Sequence, residues 1–269
     1  MQLPAPLKAA SHPLARQARQ LGRGVRERRD EGLFLVEGPR GVEEALAAHA
    51  ALAWVLVGAS RVERPPHAAL LERCARAGVP VQPVADELLE RIAPTERGPG
   101  LLAACQLPAH ADDFAAVAGI ERDGVLPIAW DVRDPGNLGT LLRSAAAFGA
   151  LGFVSAGGAD PWNPKAVRAS AGAIHTLPTA RTDDPVAALA ALPALGYRAV
   201  AATPRGGAPP GTIDWSGRVA LVLGSEVAGL PPQMCACAQL VTIAMAPGVE
   251  SLSVAIAGSI LLHRTGRVL

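Results

Sequence analysis

Short apolar runs and longer amphipathic stretches take turns along the 269 residues, and that alternation predicts strands interleaved with helices. The first apolar run is Leu33-Phe34-Leu35-Val36-Glu37. Gly38-Pro39 then opens a helix to about residue 48, since a proline in the first helical turn gives up an N–H that has no partner there. Strands are predicted at 52–57, 79–84 and 101–107, with helices near 67–77 and over 86–92. This outlines a small α/β domain, preceded by a basic helical segment. Residues 108–124 read as a connection with some helical content.

The second half repeats the rhythm. A strand over 126–131 ends on Asp131, and the turn Asp134-Pro135-Gly136 leads into a helix over 137–148. Further strands are predicted at 151–155, 197–202, 219–224 and 240–244, with helices near 163–171, 185–195 and 251–264. Strands separated by helices run parallel in a sheet covered on both faces. The expected organisation is therefore 1–107, a linker over 108–124, and a second domain over 125–269.

Half of the residues are apolar, enough for two cores. No apolar run reaches the length of a membrane span, and the first twenty residues lack the apolar block of a secretory signal. These features predict a soluble, cytoplasmic protein without a membrane partner. The formal net charge is only +1, but its distribution is uneven. Residues 1–30 hold Lys8, Arg16, Arg19, Arg23, Arg26, Arg28 and Arg29 against Glu27 and Asp30. A basic cluster at one end reads as a nucleic-acid contact or as a solvated helix face, and the six arginines are the candidate nucleic-acid ligands. Four cysteines make no disulfide framework. Cys74 and Cys105 sit among Ala and Leu as small hydrophobes, and the pair Cys235 and Cys237 lacks the further ligands of a zinc site. No metal is expected.

Ligands of an open parallel sheet bind outside the carboxyl ends of its strands. Three segments lie at such ends: DVRDPGNLGTLLRSAAAFG (131–149), LVLGSEVAGL (221–230) and IAMAPGVESLSVAIAGSILLHR (243–264). Each is a strand, a glycine-rich turn and a helix or the approach to one. Their convergence on one edge points to a nucleotide-like ligand.

The three segments resemble, in order and spacing, the three motifs of the SpoU (TrmH-like) branch of the SPOUT RNA methyltransferases. The first carries Asn137-x-Gly139-x-x-x-Arg143 followed by Ala146 and Gly149, the second Gly224-x-Glu226-x-x-Gly229, and the third Ile243-x-Met245 with Ser251-Leu252-x-Val254. The match spans roughly 126–266. The phrase Phe34–Arg40 is similar to the opening of the RNA-binding domain often fused ahead of this catalytic domain. The resemblance implies transfer of a methyl group from S-adenosyl-L-methionine to a ribose 2′-hydroxyl of structured RNA, with ribosomal RNA favoured over transfer RNA. It also implies a deep trefoil knot, otherwise nearly absent from proteins, and a homodimer. Asn137, Arg143, Glu226, Ser251 and Ser253 are then the catalytic candidates. Thr203, Gly224, Ile243, Met245 and Leu252 are the cofactor contacts, largely through backbone groups, with Gly224, Gly229 and Gly248 letting the chain approach closely.

Each candidate has a purely structural alternative. Asn137 is a favoured N-cap residue, Ser251 could cap the last helix, Glu226 could be a solvated loop charge, and Arg143 an exposed helix residue. The chain departs from the family pattern at Ser253, where Asn is usual, and at Ala244, where Pro is usual. The first departure bears on substrate orientation and turnover, and leaves room for an RNA-binding or assembly protein that has lost activity. A dinucleotide-binding oxidoreductase is a more distant alternative, because Gly136-x-x-Gly139 lacks the third glycine of that fingerprint.

Overall fold

The structure, a computed structural model, describes residues 3–95, 100–225 and 228–265. Its contacts separate two units: Met1–Pro108 with Trp162–His175, and Ala109–Pro161 with Thr176–Leu269.

The first unit begins with α1 (Pro13–Arg23) and α2 (Val25–Glu31). In α1, Ala15, Ala18 and Leu21 recur every three residues and are buried, while the arginines between them face water. Gly24 separates the two helices with an extended backbone, and Gly32 ends α2 in the left-handed conformation that favours glycine. The chain continues through β1 (Leu33–Glu37), α3 (Gly38–Ala47), β2 (Leu52–Gly58), α4 (Pro65–Arg76), β3 (Val81–Val84), α5 (Asp86–Ile92) and β4 (Leu101–Gln106). The sheet order is β1-β4-β2-β3. β4 is antiparallel to both neighbours, and β2 and β3 are parallel. Leu21, Leu35, Trp54, Leu56, Leu88 and Leu102 fill the core under α1 and α5. Trp54 keeps its indole N–H satisfied by donating to Gln17 Oε1 at 2.8 Å, as a buried tryptophan requires. Cys105 is buried in β4, and burial pushes its thiol pKa up to about 12.

The second unit runs through α6 (Phe114–Ala118), β5 (Gly124–Trp130), α7 (Pro135–Ala147) and β6 (Phe153–Ala156). After α8 (Pro164–Ser170), which belongs to the first unit, it resumes with β7 (Thr179–Thr182), α9 (Pro185–Ala191), β8 (Arg198–Ala202), β9 (Arg218–Leu223), α10 (Pro232–Cys237), β10 (Gln239–Val241) and α11 (Val254–Arg264). All six strands are parallel, in the order β10-β8-β9-β5-β6-β7. The six carboxyl ends therefore share one edge. Helices α7 and α11 pack closely at Gly258, where an added Cβ would come within 2.3 Å of Leu141 Cδ2. At the next residue of α11, the hydroxyls of Ser144 and Ser259 lie 2.7 Å apart and join the two helices.

Four features differ from expectation. β7 and α10 are short, four and six residues, and carry no periodic apolar pattern. β10 stops at Val241 instead of residue 244, because the Thr242 hydroxyl turns to the chain at 203–207. α11 starts at Val254, three residues late. Finally, the predicted helix near 163–171 leaves the second half and packs against β1. There Glu37, nearly excluded from solvent, accepts a hydrogen bond from Thr95 Oγ1 at 2.6 Å and faces Arg168 at 3.7 Å. Burial holds the Glu37 carboxyl above its ordinary pKa, while Thr95 and Arg168 pull the other way.

Candidate cofactor pocket and catalytic helix

The ends of β8, β9 and β10 enclose a cavity of about 450 Å³ at the carboxyl edge of the parallel sheet. Ala202, Thr203 and Pro204 form one wall, and Leu223, Gly224 and Ser225 a second. Ile243 and Met245 follow β10 along a third. The chain then passes Ser251, Leu252 and Ser253 and enters α11, whose Val254, Ala257 and Leu261 also line the cavity. Spaced three and four apart, those three share one helix face. Thr203, Gly224, Ile243, Met245, Leu252, Ser251 and Ser253 are thus brought together around one space. Sequence reasoning missed the α11 face, although its spacing was there to be read, and also Ser225 and Ala228.

The glycines act for different reasons. At Gly224 a Cβ would lie 2.6 Å from the Gly229 carbonyl carbon, so only glycine lets the loop fold back on itself. Gly229 and Gly248 have open space around them. What they supply is positive φ, 64° and 87°, and the expectation of close approach holds only for Gly224. The loop is closed by Gly229 N–H donating to Ser225 O at 3.0 Å and Ala228 N–H donating to Ser225 Oγ at 3.2 Å. Glu226 stands between these contacts in sequence but lies outside the described residues.

Asn137 and Arg143 are on α7, and neither lines this cavity. The cap of α7 is Asp134, whose Oδ1 accepts from Asn137 N–H at 2.9 Å. Pro135 occupies the first turn, so Asn137 is inside the helix and is not its N-cap. A corresponding correction applies at α11. Ser253 is its cap, accepting from Ile256 N–H at 3.3 Å, and Ser251 stays outside the helix as an exposed residue of the cavity wall. Arg143 is exposed, and its side chain has no ion pair or hydrogen bond with the described residues. Just before α7, Asp131 adopts φ 47° and holds Arg133 by a 2.9 Å ion pair. A non-glycine residue in that region stores strain, here where β5 hands over to α7.

The six N-terminal arginines divide. Arg16, Arg19 and Arg23 are exposed along α1, three and four residues apart on one stripe. Arg26 is exposed and pairs with Asp30 at 3.4 Å, and Arg29 is half-buried. Arg28 is a correction. It is 3 % exposed, and its guanidinium donates to Leu21 O at 2.7 Å. That bond satisfies a carbonyl at the end of α1, and its burial keeps the side chain from reaching RNA. Among the described residues no group of three His, Cys, Asp or Glu side chains is placed to hold a metal ion, and no helix is long and apolar enough to cross a membrane.

Residues 125–263 match the family model for the SpoU rRNA methylases, and residues 13–103 match an MRM3-like substrate binding domain. The chain belongs to the SpoU rRNA methylase family. An uncharacterized tRNA/rRNA methyltransferase of Synechocystis sp. is 31 % identical over 98 % of this chain and 94 % of its own. One from Mycobacterium marinum is 32 % identical over 96 % and 84 %. Among solved structures, the SpoU methyltransferase AviRb from Streptomyces viridochromogenes, in complex with AdoMet, superposes with a TM-score of 0.84 at 27 % identity, covering 95 % of this chain and 97 % of its own. An AdoMet-bound rRNA methyltransferase from Sinorhizobium meliloti gives 0.82 at 27 % identity, covering 98 % and 97 %. The α/β fold with its all-parallel six-stranded sheet is the fold of these SpoU methyltransferases.

Proposed function

We propose that this SpoU-family RNA methyltransferase uses S-adenosyl-L-methionine to methylate a ribose 2′-hydroxyl, in ribosomal RNA rather than transfer RNA. The observation that carries the reading is the cavity at the carboxyl edge, where the second and third motifs meet. Its volume is ordinary for a small-molecule site, and its chemistry suits a nucleoside. Leu223, Ile243, Leu252, Ala257 and Leu261 offer apolar faces to a flat heterocycle. The peptide groups of Gly224, Ser225, Ala228, Gly229, Ile243 and Met245, with the hydroxyls of Thr203, Ser225 and Ser251, offer donors and acceptors to its edge and to a ribose. Two structural neighbours hold AdoMet. A third, described as an RNA 2′-O ribose methyltransferase, superposes with a TM-score of 0.78 at 26 % identity, covering 98 % of each chain.

Bound in this cavity, the cofactor supplies an electrophilic methyl group. The protein's task is to orient the acceptor hydroxyl and to stabilise charge on its oxygen as the proton leaves. Arg143 is suited to the second role. It stays charged at any working pH, and its planar guanidinium can grip a neighbouring phosphate while donating to the developing alkoxide. Asn137 and Ser251 supply shorter polar groups for orientation. Ser253 uses an acceptor on the α11 cap, so its substitution for Asn leaves the helix start intact.

RNA contact is assigned to the first unit, through Arg16, Arg19, Arg23 and Arg26. A homodimer is part of the reading, supported by Ile256 and Ile260, 51 % and 38 % exposed one turn apart on α11. So is the trefoil knot, supported by the close crossing of residues 203–208 over 240–242. Nucleoside mass spectrometry of ribosomal and transfer RNA from a deletion strain tests the function. Loss of one 2′-O-methyl nucleotide from ribosomal RNA is expected, and an unchanged 2′-O-methyl inventory in both RNAs would overturn it.

A further inference from the structure

Two walls of the cavity are chain segments far apart in sequence, and a single hydroxyl fastens them. Thr242 Oγ1 accepts from Gly207 N–H at 2.8 Å and donates to Thr203 O at 3.1 Å. The Thr203 hydroxyl lies 3.3 Å away, within reach of its remaining lone pair. A threonine hydroxyl has one donor and two acceptor sites, so all three are used. Backbone bonds run on either side: Thr203 N–H to Val241 O at 2.9 Å, Thr242 N–H to Ala208 O at 3.0 Å, and Ala208 N–H to Leu240 O at 2.9 Å. The crossing is tight. A Cβ on Gly207 would come within 2.7 Å of the Val241 backbone.

The position of this fastening gives it a function. Thr203 and Pro204 form the cavity wall on one side, and Ile243 and Met245 on the other. Thr242 itself does not line the cavity. After Val241 the strand ladder ends, so residues 243–245 have no sheet to hold their peptide groups in place. We propose that Thr242 is a positioning residue for cofactor binding: it pins the 203–207 turn to the segment 243–245, so that both present fixed peptide groups to the adenosine half of S-adenosylmethionine. This rests on the cofactor reading above. Replacing the hydroxyl by a methyl of equal size leaves Gly207 N–H facing an apolar group, an uncompensated loss for a part-buried donor.

Calorimetric titration with S-adenosylhomocysteine tests this, beside melting curves of each variant. Thr242→Val is expected to raise the Kd about tenfold, the factor that one missing hydrogen bond of this kind corresponds to. Thr242→Ser keeps the hydroxyl and is expected to stay within about twofold of the parent. Thr212→Val is the control. It removes a hydroxyl bonded to Pro209 O at 2.8 Å in the continuation of the same loop, away from the cavity lining, and is expected to leave the Kd unchanged. If Thr242→Val does not fold, Thr242→Ala, which gives a water room to reach Gly207, is expected to show a smaller rise in the same direction. A parent-like Kd in the folded Thr242→Val or Thr242→Ala variant overturns the proposal, as does an equal rise in Thr212→Val. A parent protein that binds no S-adenosylhomocysteine overturns instead the cofactor reading beneath it.

Discussion

The exposed stripe of α1 and the cavity at the edge of the parallel sheet are two surfaces built from opposite materials. Along α1 the backbone is locked in helical hydrogen bonds, and three arginines, beside Pro13 and Gln20, face outward. In the cavity, small residues and strand ends expose the backbone, and the side chains are mostly apolar. On the proposed reading, a flexible polymer of phosphates meets flexible charges that neutralise it without fixing its sequence. On the same reading, a small nucleoside meets peptide groups held by the backbone. The first surface should therefore be sensitive to salt and tolerant of single substitutions, the second insensitive to salt and intolerant of changes in backbone.

Arg143 combines the two materials, an exposed charged side chain in the unit whose proposed cofactor contacts are otherwise backbone. The largest effect is expected there. Arg143→Ala should lower the single-turnover methyl-transfer rate about 10²–10³-fold, with the Kd for cofactor and the Tm unchanged. Arg143→Lys should rescue partly, since an ammonium keeps the charge without the planar two-point grip. A lowered Tm with an undiminished rate would make Arg143 a scaffold residue.

The intolerance of the cavity is tested at Gly224. The 2.6 Å approach to Gly229 leaves no room for a side chain, so Gly224→Val should lower cofactor affinity by more than about tenfold and cost about 1–3 kcal/mol of stability through overpacking. Cofactor binding by Gly224→Val at the parent affinity would show that the loop does not act by its fit. The stripe is tested by changing Arg16, Arg19 and Arg23 together to Gln. RNA affinity should fall, and the slope of log K against log salt should become shallower by about 2–3, at roughly 0.7–0.9 for each phosphate that is no longer neutralised. Cofactor affinity should not change. An unaltered slope would mean that the stripe is merely solvated.

The smallest expected effect is on the pH dependence of the first unit. His175 stacks on Phe34 with ring centroids 5.8 Å apart, and burial lowers its pKa from 6.5 to about 4, with Glu44 opposing. The folded state thus favours the neutral ring. Its contribution is fully present above pH 6.5 and is lost as the pH falls through about 4. His175→Phe, which keeps the stacking, should flatten the fall in Tm between those limits. An equally steep fall in that variant would place the acid sensitivity elsewhere.

What the chain announces in advance follows from the range of the forces involved. β1 and α5 lie at the boundaries that the pattern predicts, since both are set by local periodicity and by flanking Gly and Ala. The helix caps stand two or three residues from their predicted places. Pro135 moves the start of α7 back to Asp134, and the cavity wall draws Ser251 out of α11 and leaves the cap to Ser253. The packing of α8 against β1 is not legible, because the Glu37–Arg168 contact joins residues that no local pattern relates. Nor is Thr242, whose value lies entirely in a turn some forty residues earlier. The motif residues around the cavity are legible only as a recurring order of glycines and polar residues after strands, and the structure adds which peptide groups they bring together.

Everything proposed for Arg143 and the cavity turns on the methyl group reaching a ribose oxygen. Purified protein incubated with ribosomal RNA and S-adenosylmethionine carrying a labelled methyl group, followed by complete digestion to nucleosides, shows where that methyl goes. Label is expected in a single 2′-O-methylnucleoside, and it should enter about 10²–10³-fold more slowly when Arg143 is replaced by Ala. Label carried on a nucleobase, with none on ribose, would contradict the proposal.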